Sequence, residues 1–164
     1  MRKYIKRKIK SYGNGVQIDV DSHGNVFATK GTAEMYPCVV CHMDEVCPEK
    51  GRQFEVLERD GKLFGFNWGD MERRGLGGDD KNGIWVALNC LQKLDVVKCA
   101  FFVGEEVGCV GSSSCDLSFF SDVNFIVEPD RRNGHDLITA GGCDWCTPEF
   151  LAAIEPYVSA HGYK

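Results

Sequence analysis

Six residues have the types and the places in the chain to act together on a polar bond: His42, Asp44, Asp79, Glu105, Glu106 and Asp130. One imidazole and five carboxylates gathered in a partly dry crevice would repel one another unless something balanced them. A cation is the simplest balance. Imidazole with carboxylate and no thiolate suits zinc, with manganese or cobalt as alternatives. In the adjacent pair Glu105-Glu106, one carboxylate can hold metal while its neighbour handles a proton. Asp79 follows Gly77-Gly78, so its backbone can bend to set a carboxylate between two ions about 3.5–4 Å apart. Taken singly, each feature has a simpler account. His42 could be structural, Glu105-Glu106 surface charge, and Asp79-Asp80 a helix cap. What favours chemistry is their shared placement, each just after a strand or a glycine loop.

The elements that must carry these residues can be read from periodicity. Gln17–Val20 and Val26–Lys30 alternate around Asp21-Ser22-His23-Gly24-Asn25, a hairpin with Gly24-Asn25 in its turn. Cys38–Cys41 is a continuous apolar run, which predicts a central strand buried on both faces and ending at His42-Met43-Asp44-Glu45. Phe54–Glu58 and Lys62–Phe66 flank Arg59-Asp60-Gly61 as a second hairpin. The glycine-rich loop Gly75–Gly83 leads into a helix with Ile84, Ala87, Leu88, Leu91 and Leu94 on one face. Lys98–Val103 and Val123–Val127 predict two more buried strands, ending at Gly104-Glu105-Glu106 and Glu128-Pro129-Asp130. Gly111-Ser112-Ser113-Ser114 is suited to cap a short helix. Thr147 caps a last helix that has Pro148 in its first turn and that Pro156 should kink or end. Strands and helices alternating in this way make an α/β sheet. In open α/β sheets the site lies outside the carboxyl ends of the strands, where all three acidic clusters fall.

Composition narrows the function further. The 164 residues suit one domain with a real core. The net charge is −5, yet six of the 19 basic residues (Arg2, Lys3, Lys6, Arg7, Lys8, Lys10) stand in the first ten positions. The other 13 face 24 acidic residues, leaving the body at −11. An acidic body argues against a nucleic-acid partner. No apolar run is long enough to span a membrane, and no signal segment is present, so the expectation is a cytoplasmic protein with no membrane partner. Residues 1–12 read as a basic N-terminal arm, a solvated segment or fraying helix. Nine cysteines without an export signal predict free thiols rather than a disulfide framework. The pairs Cys38/Cys41 and Cys143/Cys146 raise a further possibility, an interaction module stabilised by zinc on cysteine. Against it, Cys38 and Cys41 stand three apart on a strand and must point to opposite faces. Cys90, Cys99, Cys109 and Cys115 read as small core hydrophobes.

Three segments then carry a resemblance. They are His42-Met43-Asp44-Glu45-Val46, Gly77-Gly78-Asp79-Asp80-Lys81-Asn82-Gly83, and Glu105-Glu106-Val107-Gly108 with Gly111. In this order and spacing they resemble the co-catalytic zinc exopeptidases: peptidase T, the carboxypeptidase G-like and aminoacylase-like enzymes, and related aminopeptidases. The likeness runs from about Asp21 to Asp130, and it is closest to short peptidase T-like forms without the lid domain. It implies a single three-layer α/β domain over 1–164, a central mixed sheet flanked by helices, and a C-terminal part that is missing. It implies roles as well. His42 and Asp130 would bind a first zinc, Asp79 would bridge, Glu106 would bind a second, Glu105 would be the general base, and Asp44 would orient His42 or tune Glu105. Asp80 and Lys81 follow the motif without an assigned role. The activity implied is hydrolysis of small peptides or acylated amino acids. One departure stands out. The family completes its second metal with a late histidine, and neither His135 nor His161 sits in such a context. The expectation is therefore a metal-binding hydrolase whose second ion is short of one imidazole, with an inactive or truncated metal- or partner-binding member of the fold as the alternative.

Overall fold

A computed structural model of the chain describes residues 1–13, 15–46, 54–132 and 134–163. It divides into two compact units, Met1–Asp130 and Arg131–Lys164. The first unit is built on a mixed five-stranded sheet in the order β1-β2-β7-β3-β8. The strands are β1 (Val16–Val20), β2 (Val26–Lys30), β3 (Tyr36–His42), β7 (Val97–Phe102) and β8 (Val123–Val127). β3 is parallel to both β7 and β8, while β2 runs antiparallel to β7 and β1 antiparallel to β2. The register pairs His42 with Phe102. The carboxyl ends of β3, β7 and β8 therefore lie side by side, and the acidic clusters emerge together from one edge.

Side-chain alternation along these strands builds two apolar layers. Val39 and Cys41 of β3 and Val97, Cys99 and Phe101 of β7 join one layer, and Cys38, Val40, Ala100 and Phe102 join the other. The first layer is closed by two helices, α1 (Arg2–Lys10) and α2 (Gly78–Lys93). They contribute Ile5 and Ile9 from α1, and Ile84, Ala87, Leu88 and Leu91 from α2. The second layer is covered by Cys115, Phe119 and Phe120, around a short 3-10 turn at Leu117–Phe120. The α/β architecture with a central mixed sheet is thus as expected. A separate three-stranded antiparallel sheet joins β4 (Glu55–Arg59), β5 (Lys62–Asn67) and β6 (Glu72–Arg74) in that order. The second unit holds α4 (Pro148–Ala160) and a bridge between Ala140 and Asp144.

Several expectations are corrected by the structure. Of the two readings of the basic segment the helix holds, but it is docked rather than solvated: α1 buries Ile5 and Ile9 fully, because apolar residues four apart share a helix face. β8 is not buried on both faces. It is the sheet's edge strand, with Ile126 and Val127 exposed, and apolar composition alone does not separate an edge from a centre. Leu94 leaves the helix stripe, since it is the extended, exposed residue that ends α2. Of the Gly111–Ser114 run, Gly111, Ser112 and Ser113 lie within the single turn α3 (Val110–Ser113), and only Ser114 stands at a cap, the C-terminal one. Cys109 is exposed and has positive φ, so it is not a core residue. Pro156 neither ends nor interrupts α4. That helix is solvent-facing, where water can take the carbonyl that a proline leaves free. Thr147 caps α4 as expected, its hydroxyl accepting from Phe150 N at 3.2 Å.

Candidate metal centre

His42 is the last residue of β3 and only 2% exposed. Its ring meets acidic residues from every neighbouring strand end. Nε2 lies 2.9 Å from Asp79 Oδ1, 3.5 Å from Asp130 Oδ2 and 3.9 Å from Glu105 Oε2. Nδ1 lies 3.5 Å from Asp44 Oδ1. Asp79 arrives from the start of α2, where Gly77 takes a left-handed conformation and the Asp79-Asp80 peptide is cis. Asp130 follows β8, and Glu105 and Glu106 follow β7 after Gly104, which also has positive φ. Residues scattered over 89 positions of sequence thus meet at one sheet edge. Two groups present ligand atoms within 4.8 Å of one another: His42 with Asp79 and Asp130, and His42 with Glu105 and Glu106. Among the described residues neither group contains a cysteine. Cys38 and Cys41, moreover, are buried in opposite apolar layers, so the strand geometry keeps their sulfurs apart.

Asp44 plays a part that the sequence left open. Its carboxylate accepts from the backbone N–H groups of Glu105 and Glu106, each at 3.1 Å. It thereby ties the loop after β3 to the loop after β7. Burial alone would raise the Asp44 carboxyl, but those two N–H groups, with its own N–H and the charge of His42, outweigh it and lower the carboxyl. Asp80 and Lys81, which follow the motif without an assigned role, have structural work here. Asp80 is 2% exposed and accepts from His42 N at 3.2 Å and from Gly83 N at 2.8 Å, so it anchors the end of β3 to the first turn of α2. Lys81 pairs with Glu45 and also donates to Leu76 O at 3.2 Å, which fastens the glycine-rich loop to the loop after β3. The tandem Asp79-Asp80 was the available signal for Asp80. Its bond to Gly83 N is local, whereas its bond to His42 N spans 38 residues and cannot be read from composition.

The electrostatics suit a cation. Burial pushes the Asp80 carboxyl up to about 7, and burial followed by neighbouring carboxylates raises Glu106, Glu128 and Asp130. Burial would lower the His42 imidazole. The bond with Asp79 and the charges of Asp130, Asp80 and Glu105 outweigh that and raise it. Two buried polar atoms here have no hydrogen-bond partner, His42 Nδ1 and Glu106 Oε1. Mutual repulsion among the carboxylates and the unpartnered Glu106 Oε1 fit the chemistry of a nitrogen–oxygen site for a divalent cation.

No family model and no curated protein matches the chain. Solved structures do. A tripeptidase from Staphylococcus aureus superposes with a TM-score of 0.62 at 22% identity, over 79% of this chain and 37% of that one. Aminopeptidase PepT from Bacillus cereus gives 0.67 at 21% identity, over 84% and 39%. This chain has the fold of these peptidases. Human carnosine dipeptidase 1 is similar as well, with a TM-score of 0.56 at 20% identity over 80% of this chain and 32% of that one. The resemblance drawn from the three sequence segments is thus met at the level of fold. The chain spans less than two fifths of the length of each of these peptidases.

Proposed function

We propose that this peptidase fold is used here as a metal-dependent hydrolase of peptide or acyl-amide bonds in small substrates. The observation that carries the reading is the convergence on the His42 ring of carboxylates from Asp79, Asp130 and Glu105 within 3.9 Å. His42, Asp79 and Asp130 would hold one zinc ion, and Glu106 together with Asp79 would serve a second. A divalent ion so held supplies positive charge that polarises an amide carbonyl and acidifies water. The chain's own residues do the rest. Glu105, half-exposed beside Nε2, is placed to take a proton from water and return it to the leaving amine. Asp44 holds the Glu105 and Glu106 backbone in place, and Asp80 fixes the main chain of His42. The eight described cysteines are all free thiols, which suits a reducing cytoplasmic setting.

The test uses a panel of dipeptides, tripeptides and acylated amino acids with zinc-loaded protein. Glu105→Gln should lower hydrolysis by about 10²–10⁴-fold, the usual contribution of a general acid–base, while leaving metal content intact. Hydrolysis that is unchanged in Glu105→Gln overturns the assignment. Tight metal binding with no hydrolysis of any panel member favours a metal-binding, non-hydrolytic use of the fold.

A further inference from the structure

The loop carrying Glu105 and Glu106 is held from a direction unrelated to the acidic cluster. Asn25 closes the turn between β1 and β2 and is fully buried. Its Oδ1 accepts from Val103 N at 3.0 Å, just before the loop. Its Nδ2 donates to Gly111 O at 3.0 Å, just after the loop, and to Asp21 Oδ2 at 2.6 Å. Both amide hydrogens are used and the oxygen accepts one bond, and this pattern admits one orientation of the group. Asp21 is fixed in turn, accepting through Oδ1 from the N–H groups of His23, Gly24 and Asn25. The loop ends also meet directly, with Gly111 N donating to Val103 O at 2.8 Å. The packing is close enough that a Cβ on Gly111 would overlap Asn25 Oδ1 and stand 2.8 Å from Val103 N.

From this geometry we propose that Asn25 is a positioning residue for Glu105 and Glu106. One buried amide clamps the two ends of their loop, while Asp44 holds its middle through the Glu105 and Glu106 N–H groups. The two clamps come from opposite sides, the β1–β2 turn and the end of β3. Together they leave the two carboxylates little backbone freedom beside His42. The consequence for metal rests on the function proposed above, whereas the positioning itself does not. Asn25→Ala deletes all three hydrogen bonds. Asn25→Asp keeps the acceptor for Val103 N but sets a carboxylate oxygen against Gly111 O and Asp21.

The experiment compares both variants with wild type and with Leu91→Ala, a fully buried core change on α2. Amide hydrogen exchange is measured on metal-free protein, and zinc affinity by competition with a chelating dye. In the Asn25 variants the Glu105 and Glu106 amides should exchange about 10-fold or more faster relative to those of Lys98–Phe101, as expected for loss of a buried hydrogen bond. Leu91→Ala should shift both sets in step. Zinc affinity should fall by about 10–100-fold in the Asn25 variants, the usual cost of losing support behind a ligand, beyond any fall seen in Leu91→Ala. Exchange at Glu105 and Glu106 that moves only in step with β7 in both variants overturns the positioning role. Wild-type protein that binds no zinc overturns the metal reading instead, and the exchange data still decide the role of Asn25. If Asn25→Ala does not fold, Asn25→Asp carries the same comparison.

Discussion

Gly83→Ala sets helix propensity against the site, and the structure says which wins. Gly83 lies inside α2, where alanine normally gains about 1 kcal/mol over glycine. A Cβ there, however, would overlap both carboxylate oxygens of Asp80 and stand 2.6 Å from its Cγ. Asp80 is buried, and the carboxylate that must move accepts from both Gly83 N and His42 N. Two buried N–H groups would lose their partner, at about 1–3 kcal/mol each. Set against a gain of about 1 kcal/mol, the net expectation is a loss of about 1–5 kcal/mol. With a urea slope of about 2 kcal/mol/M, a loss near the middle of that range lowers the unfolding midpoint by about 1.5 M. The assay is urea denaturation of metal-free protein followed by far-UV circular dichroism, with the slope compared as well. Because Asp80 also fixes the main chain of His42, zinc affinity should fall with stability. A midpoint equal to or above that of wild type would refute the reasoning, since it would mean that helix propensity governs and that Asp80 is not a structural anchor.

Two further outcomes are expected. In metal-free protein, Asp80, Glu106, Glu128 and Asp130 are all raised in the folded state, and so is His42. The native state therefore keeps protons that the unfolded chain releases, so stability should fall as pH rises from about 4 through 7; a flat or rising profile of urea midpoints contradicts this. Burial pushes the Cys38 thiol up to about 12 and raises Cys41 further. A maleimide probe at neutral pH should thus label exposed Cys109 and Cys143 while sparing Cys38 and Cys41 until the protein unfolds; mass spectrometry showing early labelling of either buried thiol would contradict the strand geometry.

Elements with a strong period were readable in the sequence, and elements defined by their neighbours were not. The runs at β3 and β7 and the apolar stripe of α2 announce their burial, and both hairpins follow from alternation around turn residues. β8 has the same apolar character as β3, but its place at the sheet edge depends on pairing that composition does not encode. β6 consists of Glu72, Arg73 and Arg74 and gives no apolar signal at all; only pairing with β5 makes it a strand. The basic residues of α1 hid the two isoleucines that dock it. At the candidate site, His42, Asp79, Glu105, Glu106 and Asp130 were readable because each follows a strand or glycine loop, and the structure brings them to one edge. The hold of Asp80 on His42 N and that of Asn25 on Val103 N and Gly111 O were not, because those partners lie 38, 78 and 86 residues away.

Metal content decides whether the cluster around His42 is a divalent-metal centre. Wild type, Asp79→Ala and Glu105→Gln are dialysed against zinc at neutral pH, freed of loose ion, and analysed by atomic emission. Wild type and Glu105→Gln should retain at least one zinc per chain, and Asp79→Ala should lose it. Binding should also weaken below neutral pH, beginning above histidine's ordinary value of about 6.5 because the surrounding carboxylates raise His42. No zinc retained by wild type, or zinc retained equally by Asp79→Ala, would contradict the metal reading.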